Sequence, residues 1–465
     1  MRNLIRKAPL WIKKPIKYVY GLIPYEKRMG KVFWDTYNFL QESQWWSKEQ
    51  LEEYQMRQLE KLMKHAYETI PYYKKLFNET GITPKDIQNF SDLKKIPYLT
   101  KQIIQDNPKD LISNKYKKND LRYVTTGGTT GIPMGFYQDN NTTEAIEWAF
   151  MTNQWSRVGY NIYKKNKNII LRGNIPCNGI YEYNGPNLIL SSYHLTENNI
   201  LKYIKMSENF QPDFIQAYPS SIGIISDFLL HNNIKLKLDN LKAILCGSEN
   251  IYNFQRKKIE KIFKKRVYSW YGHTEKCCLA GECEKSNYYH LQSEYGYTEI
   301  INKNGRDVTS DDEIGEIVAT GFNNYSTPFI RYKTGDLAIN TNGTCRCGRN
   351  YKLIKRVEGR KQDLLITSKG YYIIADMVIG STHDDIFDNV AQLQFYQEKP
   401  GTCEFRIIKK NSYTQEDEKY IYSELKKKLG ADIQLKIKYV NEIPRTKSGK
   451  YRFLIQKLDL EVYAD

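Results

Sequence analysis

Apolar and polar positions along this chain recur with two different periods, and the changes of period mark its elements. Residues 33–70 carry helical apolar spacing in their second half. Ser47 stands there as an N-cap, with Gln50 three residues later completing the pattern of a capping box. "IPYYKKLFNETGI" and "NFSDLKKIPYLTKQIIQDN" follow as short helices broken by Gly and Pro. From Leu121 onward the pattern alternates. "NIILRG", "LKAILCG", "RVYSWYG", "YTEIIN" and "GEIVATG" predict strands, while "TTEAIEWAFMTNQWSRVG" and "YNFQRKKIEKIFKK" predict helices. Such alternation implies an α/β architecture. "RVEGRKQDLLI" reads as a boundary. Beyond it, "CEFRIIKK" and "IQLKIKYVNEI" predict strands and "QEDEKYIYSELKKKLG" a helix. The expected organisation is a large N-terminal domain, residues 1–361, joined to a small α+β C-terminal domain, residues 362–465. There are no internal repeats.

Composition fits this picture. The chain has 465 residues, 40% hydrophobic and 26% charged, as expected for a globular protein with a large core. Its formal charge is +17, which can attract nucleic acid, anionic lipid or a polyanionic substrate. The bias toward Lys, Asn, Ile and Tyr runs throughout, however, and no nucleic-acid-binding module is readable. Eight unevenly spaced Cys do not make a disulfide scaffold, so reduced thiols in a cytoplasmic enzyme are expected. No apolar run is long enough to span a membrane. The first thirty or so residues mix Lys and Arg with Leu4, Ile5, Leu10, Trp11 and Ile12, and Pro9 and Pro15 interrupt them. They lack the apolar core of a signal peptide. Residues 1–30 are a candidate for peripheral contact with the inner face of a membrane.

The chemistry concentrates in five clusters. "TTGGTTGIP" (Thr125–Pro133) is Gly- and Thr-rich, as phosphate-cradling loops are. It differs from the commonest phosphate loop because Met134 stands where a Lys is sought and a strand-like "MGFYQD" follows instead of a helix. "SWYGHTE" (Ser269–Glu275) ends a strand with an aromatic that can stack a base and a carboxylate that can hold Mg²⁺. "RYKTGD" ends in Asp336, suited to ribose hydroxyls. "EGRKQD" and "PRTKSGK" complete the set.

In this order the clusters resemble the adenylate-forming superfamily of acyl-CoA synthetases, peptide-synthetase adenylation domains and luciferases, over roughly residues 60–460. "PYYKKLFNETGI", "AYPSSI", "PFIRYKTGD" and "CRCGR" narrow the resemblance to the phenylacetate–CoA ligase-like branch, including members associated with capsular polysaccharide biosynthesis. The resemblance implies an ATP-dependent ligase that makes an acyl-adenylate and passes it to CoA, an amine or a carrier. It places Thr126, Gly127, Gly128, Thr129, Thr130 and Gly131 on the triphosphate. Tyr271, with Gly272, would pack on adenine, bordered by Ser248 and Glu249 of "CGSE". Thr274 would lie near the α-phosphate, Glu275 would hold Mg²⁺, Asp336 would bind ribose, and Arg360 would add a nucleotide contact. Lys450 would bring the cation that the opening loop lacks. The small domain would swing about Gln362, a position where Asp or Lys is usual.

Cys283, His290, Cys345 and Cys347 form a three-thiolate, one-imidazole set of the kind that closes a structural Zn²⁺ site, and some relatives carry a similar set. Tyr193 and His194, with Tyr218 of "QAYPSS", are candidates for the carboxylic acid pocket. The alternative to a ligase is a membrane- or polyanion-associated adaptor that keeps the fold with little catalysis.

Overall fold

The computed structural model describes residues 25–126, 134–140, 142–173, 176, 179–360, 364–369, 372–375, 378, 386–445 and 451–458. The chain opens with helix α1 (Tyr25–Ser43), bent at Gly30, whose φ of 78° lies in the left-handed region. Helix α2 (Lys48–Thr69) starts at the expected capping box: Ser47 Oγ accepts from Gln50 N–H, and the Gln50 side chain accepts from Ser47 N–H. Helix α3 (Pro71–Thr80) begins with Pro at its first position and ends at Gly81 with φ 67°, the usual asymmetry of helix ends. A single turn of helix, α4 (Lys101–Asp106), follows.

Strands β1 (Leu121–Thr125) and β2 (Gly135–Asp139) pair antiparallel, so the Gly/Thr loop joins two strands as expected. After helix α5 (Thr143–Ser156) the chain builds a twelve-stranded sheet. Its strands are β3 (Asn168–Leu171), β4 (Tyr181–Asn184), β5 (Asn187–Leu190), β6 (Phe214–Ala217), β7 (Ala243–Gly247), β8 (Val267–Gly272), β9 (Leu279–Gly281), β10 (Tyr289–Leu291), β11 (Gly296–Ile301), β12 (Ile314–Gly321), β13 (Tyr332–Asn340) and β14 (Leu353–Arg360). Helices α6 (Glu197–Phe210), α7 (Pro219–His231) and α8 (Asn253–Phe263) lie between strands of the first half.

The spatial order is β11-β12-β13-β14-β10-β9-β8-β7-β6-β3-β5-β4. Strands β8, β7, β6, β3 and β5 run parallel, and the β9–β14 half is antiparallel. The parallel strands β6 and β7 are buried at every position, which is why "AILCG" reads as a continuous apolar run. Their alternate residues enter two cores. Ile215, Ala217, Ile244 and Cys246 pack with α6, α7 and α8, whereas Phe214, Ala243 and Leu245 pack with Phe150, Met151 and Trp155 of α5. The antiparallel half rests on α2 and α3 through Leu59, Leu62, Ala66, Tyr73 and Phe77.

The second body contains a hairpin of β15 (Leu364–Ile366) and β16 (Tyr372–Ile374). It also has a four-stranded sheet, β19-β18-β17-β20, built from β17 (Val390–Gln397), β18 (Thr402–Lys409), β19 (Gln434–Tyr439) and β20 (Leu454–Gln456). Helix α9 (Gln415–Leu429) covers it. Thr414 caps that helix, Glu416, Asp417 and Glu418 occupy its first turn, and Lys426–Lys428 its last, so its charges oppose the helix dipole at both ends. Ile421, Leu425 and Leu429 are buried at four-residue intervals, each worth about 1.5–3 kcal/mol of burial. Among the described residues no helix is long and apolar enough to cross a membrane. The expected 361/362 boundary falls within residues 361–363, outside the described residues.

Candidate active site

Strands β3, β6, β7 and β8 are neighbours and point the same way, so their C-terminal ends open along one edge of the sheet. Ligands of open parallel sheets bind at that edge. Here it carries Arg172 after β3, Tyr218 after β6, Ser248 and Glu249 after β7, and Tyr271 and Gly272 at the end of β8. The turn after β7 is tight. A Cβ on Gly247 would meet the Trp270 ring at 2.4 Å, and Ser248 takes a φ of 68°. This turn aims Glu249 at two N–H groups. Ser220, in the first turn of α7, donates to Oε2 at 3.1 Å, and Tyr451 donates to Oε1 at 2.8 Å. Arg445 Nη1 donates to Ser220 Oγ at 3.2 Å and to Ser221 Oγ at 3.4 Å. Burial pushes the Glu249 carboxyl up, against these N–H groups and the Arg445 charge. Arg445 and Tyr451 thus both contact this edge.

The expected nucleotide residues assemble beside it. Tyr271 donates its hydroxyl to Asp336 Oδ2 at 2.7 Å, although 65 residues separate them. Burial, then the Asp336 charge, pushes the Tyr271 phenol up, so it stays a donor at neutral pH. Asp336 lies opposite Arg360 in the β13–β14 ladder. Glu275 is 8% exposed and accepts from Tyr332 Oη at 2.9 Å. His273 Nδ1 approaches Glu275 Oε2 at 3.4 Å. Burial opposes ionisation of Glu275, but His273, a backbone N–H and Tyr332 outweigh it and hold the carboxyl at about 2. Glu275 is therefore an anion available to a hard cation. Thr274 is exposed, with its carbonyl accepting from Gln138 Nε2 at 2.8 Å. Thr126 closes the neck of the Gly/Thr loop: its N–H donates to Met134 O at 2.9 Å, and Met134 N–H donates to Thr126 Oγ1 at 3.2 Å. Met134 itself is 1% exposed within the core, so the position where Lys is usual supplies packing. Gly127, Gly128, Thr129, Thr130, Gly131, Gln362 and Lys450 lie outside the described residues, as do residues 1–24 and the side chain of Arg360.

Of the three expected pocket residues, Tyr193 and Tyr218 lie close enough to act on each other, and both feel the Arg445 charge. Tyr218 is buried on the edge, and half-buried Tyr193 donates its hydroxyl to Gly173 O at 3.4 Å, beside Arg172. His194 is exposed, and its Nδ1 pairs with Ser191 Oγ at 2.8 Å within its own turn. Sequence reasoning also passed over Arg172, which donates from Nη2 to Gln216 Oε1 at 3.1 Å. Its only signal was a charged residue closing the apolar run "NIIL".

The four expected zinc ligands do converge. Cys283 lies just after β9, His290 in β10, and Cys345 and Cys347 in the β13–β14 connection, with ligand atoms all within 4.8 Å of one another. Cys283 and Cys345 sulfurs are 3.5 Å apart, and Cys347 Sγ is 3.3 Å from His290 Nε2. Tetrahedral Zn²⁺ with bonds near 2.3 Å to sulfur needs ligand–ligand edges of about 3.8 Å, so the set fits after small relaxation. His290 Nδ1 lies 3.2 Å from Tyr288 O, which fixes the tautomer that leaves Nε2 for a metal. Burial raises the Cys347 thiol, but His290 and Arg349 outweigh it and bring the thiol down to about 5. These are the features of a closed structural site.

Comparison with known proteins agrees with this geometry. Residues 365–457 match the CapK C-terminal domain family. The whole chain is 26% identical to Protein CapK of Staphylococcus aureus over 471 residues, covering 98% of this chain and 100% of that one. The chain is a homologue of CapK and of the phenylacetate–CoA ligases. Phenylacetate-coenzyme A ligase of Escherichia coli (strain K12) is 29% identical over 69% of this chain and 73% of its own. Among solved structures, 2-hydroxyisobutyryl-CoA ligase in its postadenylation state with 2-HIB-AMP superposes with a TM-score of 0.69 at 16% identity, covering 91% and 94% of the two chains. The same ligase in its thioesterification state gives 0.56, covering 88% and 90%. The fold is that of adenylate-forming ligases.

Proposed function

We propose that this chain activates an organic acid with ATP as an acyl-adenylate, releasing pyrophosphate, and then transfers the acyl group to CoA or to another thiol or amine. The single observation that carries the reading is the docking of the small domain on the strand edge, through Tyr451 N–H on Glu249 and Arg445 on Ser220 and Ser221. This contact holds Arg445 and Tyr451, the residues on either side of the segment that bears Lys450, at the turn after β7 and the start of α7.

In this reading adenine packs by Tyr271 and Gly272, next to Ser248 and Glu249. Asp336, already oriented by the Tyr271 hydroxyl, accepts from the ribose, and Arg360 adds a second contact. Thr126 and the Gly/Thr loop, Gly127 through Gly131, line the phosphates, with Thr274 at the α-phosphate. Glu275 would hold Mg²⁺, which when bound neutralises phosphate charge and eases pyrophosphate departure. The acid carboxylate must meet the α-phosphorus, an approach of two anions. Lys450 offsets the developing charge; a well-placed donor of this kind lowers the barrier by roughly 3–4 kcal/mol. Tyr193 and Tyr218 wall the acid. The second half-reaction follows a swing of residues 362–465 about Gln362, which withdraws Lys450 and admits the acceptor. Cys283, His290, Cys345 and Cys347 would hold Zn²⁺ as a structural clamp between the β9–β10 region and the β13–β14 connection. A place in capsule or polysaccharide biosynthesis belongs to the same proposal and rests on the motif resemblance.

ATP–pyrophosphate exchange with a broad panel of acids tests the reading. Acid-dependent exchange is expected, followed by thioester or amide formation when CoA or amines are added. A panel that gives no exchange with any acid refutes it.

A further inference from the structure

We infer that Arg172 makes the acid pocket selective for acids that carry a second anionic group, a carboxylate or a phosphate, a few bonds from the carboxylate that is activated. The inference rests on the reading of the strand edge as an adenylation site and names the substrate class of that site.

Arg172 is the first residue after β3, and Gln216 lies in β6, the adjacent parallel strand, where Ile170 pairs with Gln216 and Leu171 with Ala217. The side chain is therefore delivered to the ligand-binding edge by the sheet itself. Its partner there is a neutral amide oxygen, Gln216 Oε1 at 3.1 Å. The ionisable groups acting on it are Tyr218 and Cys246, and burial keeps both protonated at neutral pH. No ion pair to Arg172 occurs among the described residues. Elsewhere in the same fold, the guanidinium groups of Arg331 and Arg349 have carboxylates. Arg331 donates from Nε and Nη2 to Glu299 at 3.1 and 2.8 Å, and Arg349 donates from Nη1 to Glu284 at 3.0 Å. Arg172 is half-buried, and a guanidinium partly desolvated without an anion is costly, so desolvation pushes its pKa down. Such a group is matched when a ligand brings two coplanar oxygens, because the guanidinium fork accepts a carboxylate or phosphate in bidentate fashion.

Position sets the spacing. Glu249, where the small domain docks, follows β7, and β7 is separated from β3 by β6 alone. Neighbouring strands are about 4.8 Å apart, so Arg172 starts roughly 10 Å from Glu249 along the edge. The two ends of one small acid can span that interval: one carboxylate toward the adenylate side, the second anion toward Arg172, and Tyr218 between them.

The experiment compares α,ω-dicarboxylic acids from succinate to suberate, each beside the monocarboxylic acid of equal length, with 3-phosphoglycerate as a phosphate-bearing arm. Equilibrium binding by calorimetry and ATP–pyrophosphate exchange are both measured for wild type, Arg172→Gln and Arg172→Lys. Wild type is expected to favour the dianionic acids. Arg172→Gln should reduce that preference ratio by about ten- to hundred-fold, the range for a lost charge-assisted bond. Arg172→Lys should recover part of it, since the charge remains without the fork. Preference for the phosphate arm over all diacids would assign the second anion as phosphate; the reverse would assign carboxylate. Exchange with monocarboxylic acids and no dianion preference in wild type overturns the inference while leaving adenylation standing. An equal loss for both acid classes in Arg172→Gln also overturns it. Dianion binding that depends on Arg172, with no exchange for any acid, leaves the inference and overturns adenylation.

Discussion

The backbone N–H of Tyr451 donates to Glu249 Oε1 at 2.8 Å, joining the small domain to the turn after β7. Tyr451 is held from behind as well, since its hydroxyl accepts from Leu393 N–H at 3.0 Å and donates to Leu393 O. The carboxylate thus reads the position of a rigid segment. Glu249→Gln keeps one acceptor oxygen and loses the charge facing Arg445. Pyrophosphate exchange should fall about ten- to hundred-fold, the cost of a charged hydrogen bond, with the fold and melting temperature retained. A change of less than twofold would show that this docked contact is not used in adenylation.

Lys450 follows from the same docking. Lys450→Ala should lower exchange by about 100- to 1000-fold, the usual effect of removing one donor to developing charge. Transfer to the acceptor from chemically supplied acyl-adenylate should change far less, because the proposed swing withdraws Lys450 for that step. Single-turnover assays of the two half-reactions check this, and equal losses in both would contradict the division of labour.

Tyr271 and Asp336 separate two contributions to nucleotide binding. Tyr271→Phe keeps the ring and removes the bond to Asp336. It should raise the KM for ATP by less than about tenfold, as expected for one neutral donor to a carboxylate. Asp336→Asn should raise it more, because both the ribose acceptor and the Tyr271 partner lose charge. A larger effect for Tyr271→Phe than for Asp336→Asn would reverse the assigned roles.

The Cys283, His290, Cys345 and Cys347 set should bind one Zn²⁺ per chain, seen by metal analysis of purified protein. Cys347→Ser should weaken zinc by more than the ten- to hundred-fold typical of an outer-shell change, since it removes a direct ligand. Chelation should lower the melting temperature and loosen the β13–β14 connection in hydrogen exchange. Protein that lacks near-stoichiometric zinc with all four residues intact would refute the site.

Much of this was legible beforehand, and the reasons differ by residue. The Ser47 capping box is local, so the sequence alone specifies it. The central strands showed as apolar runs because they are buried on both faces. The zinc set was legible through its chemistry even though Cys283 and Cys347 are far apart in sequence. Helix α1 escaped notice. Phe33, Tyr37 and Leu40 form its buried stripe, but the partly buried Trp34 and Phe39 widen that stripe until the period blurs. His194 was a pocket candidate by its position in the chain, and its Nδ1 pairs with Ser191 Oγ in its own turn. Arg172 has no motif around it. Its significance depends on which strand lies beside β3, a relation set by tertiary topology.

Asp227 ties the two bodies together at a second point. It receives Lys258 of its own domain at 2.6 Å and Lys410 of the small domain at 3.3 Å. All three side chains are largely buried, with 21%, 13% and 15% exposure, so solvent screens the pair less than on an open surface. Asp227→Asn removes the anion that Lys258 and Lys410 share. The docked arrangement should weaken by about 1–3 kcal/mol, or roughly five- to 150-fold in its equilibrium with the undocked one. If, as proposed, adenylation uses the docked arrangement and acyl transfer requires leaving it, the two half-reactions should respond in opposite directions: exchange falls, while transfer from supplied acyl-adenylate holds or rises. Small-angle scattering should report a larger radius of gyration for the variant. Because one shifted equilibrium is the cause of all three effects, raising the salt concentration should move wild type toward the Asp227→Asn behaviour and the variant much less. Parallel losses in both half-reactions, with no change in shape, would mean that Asp227 supports the local fold of α7 rather than the position of the small domain.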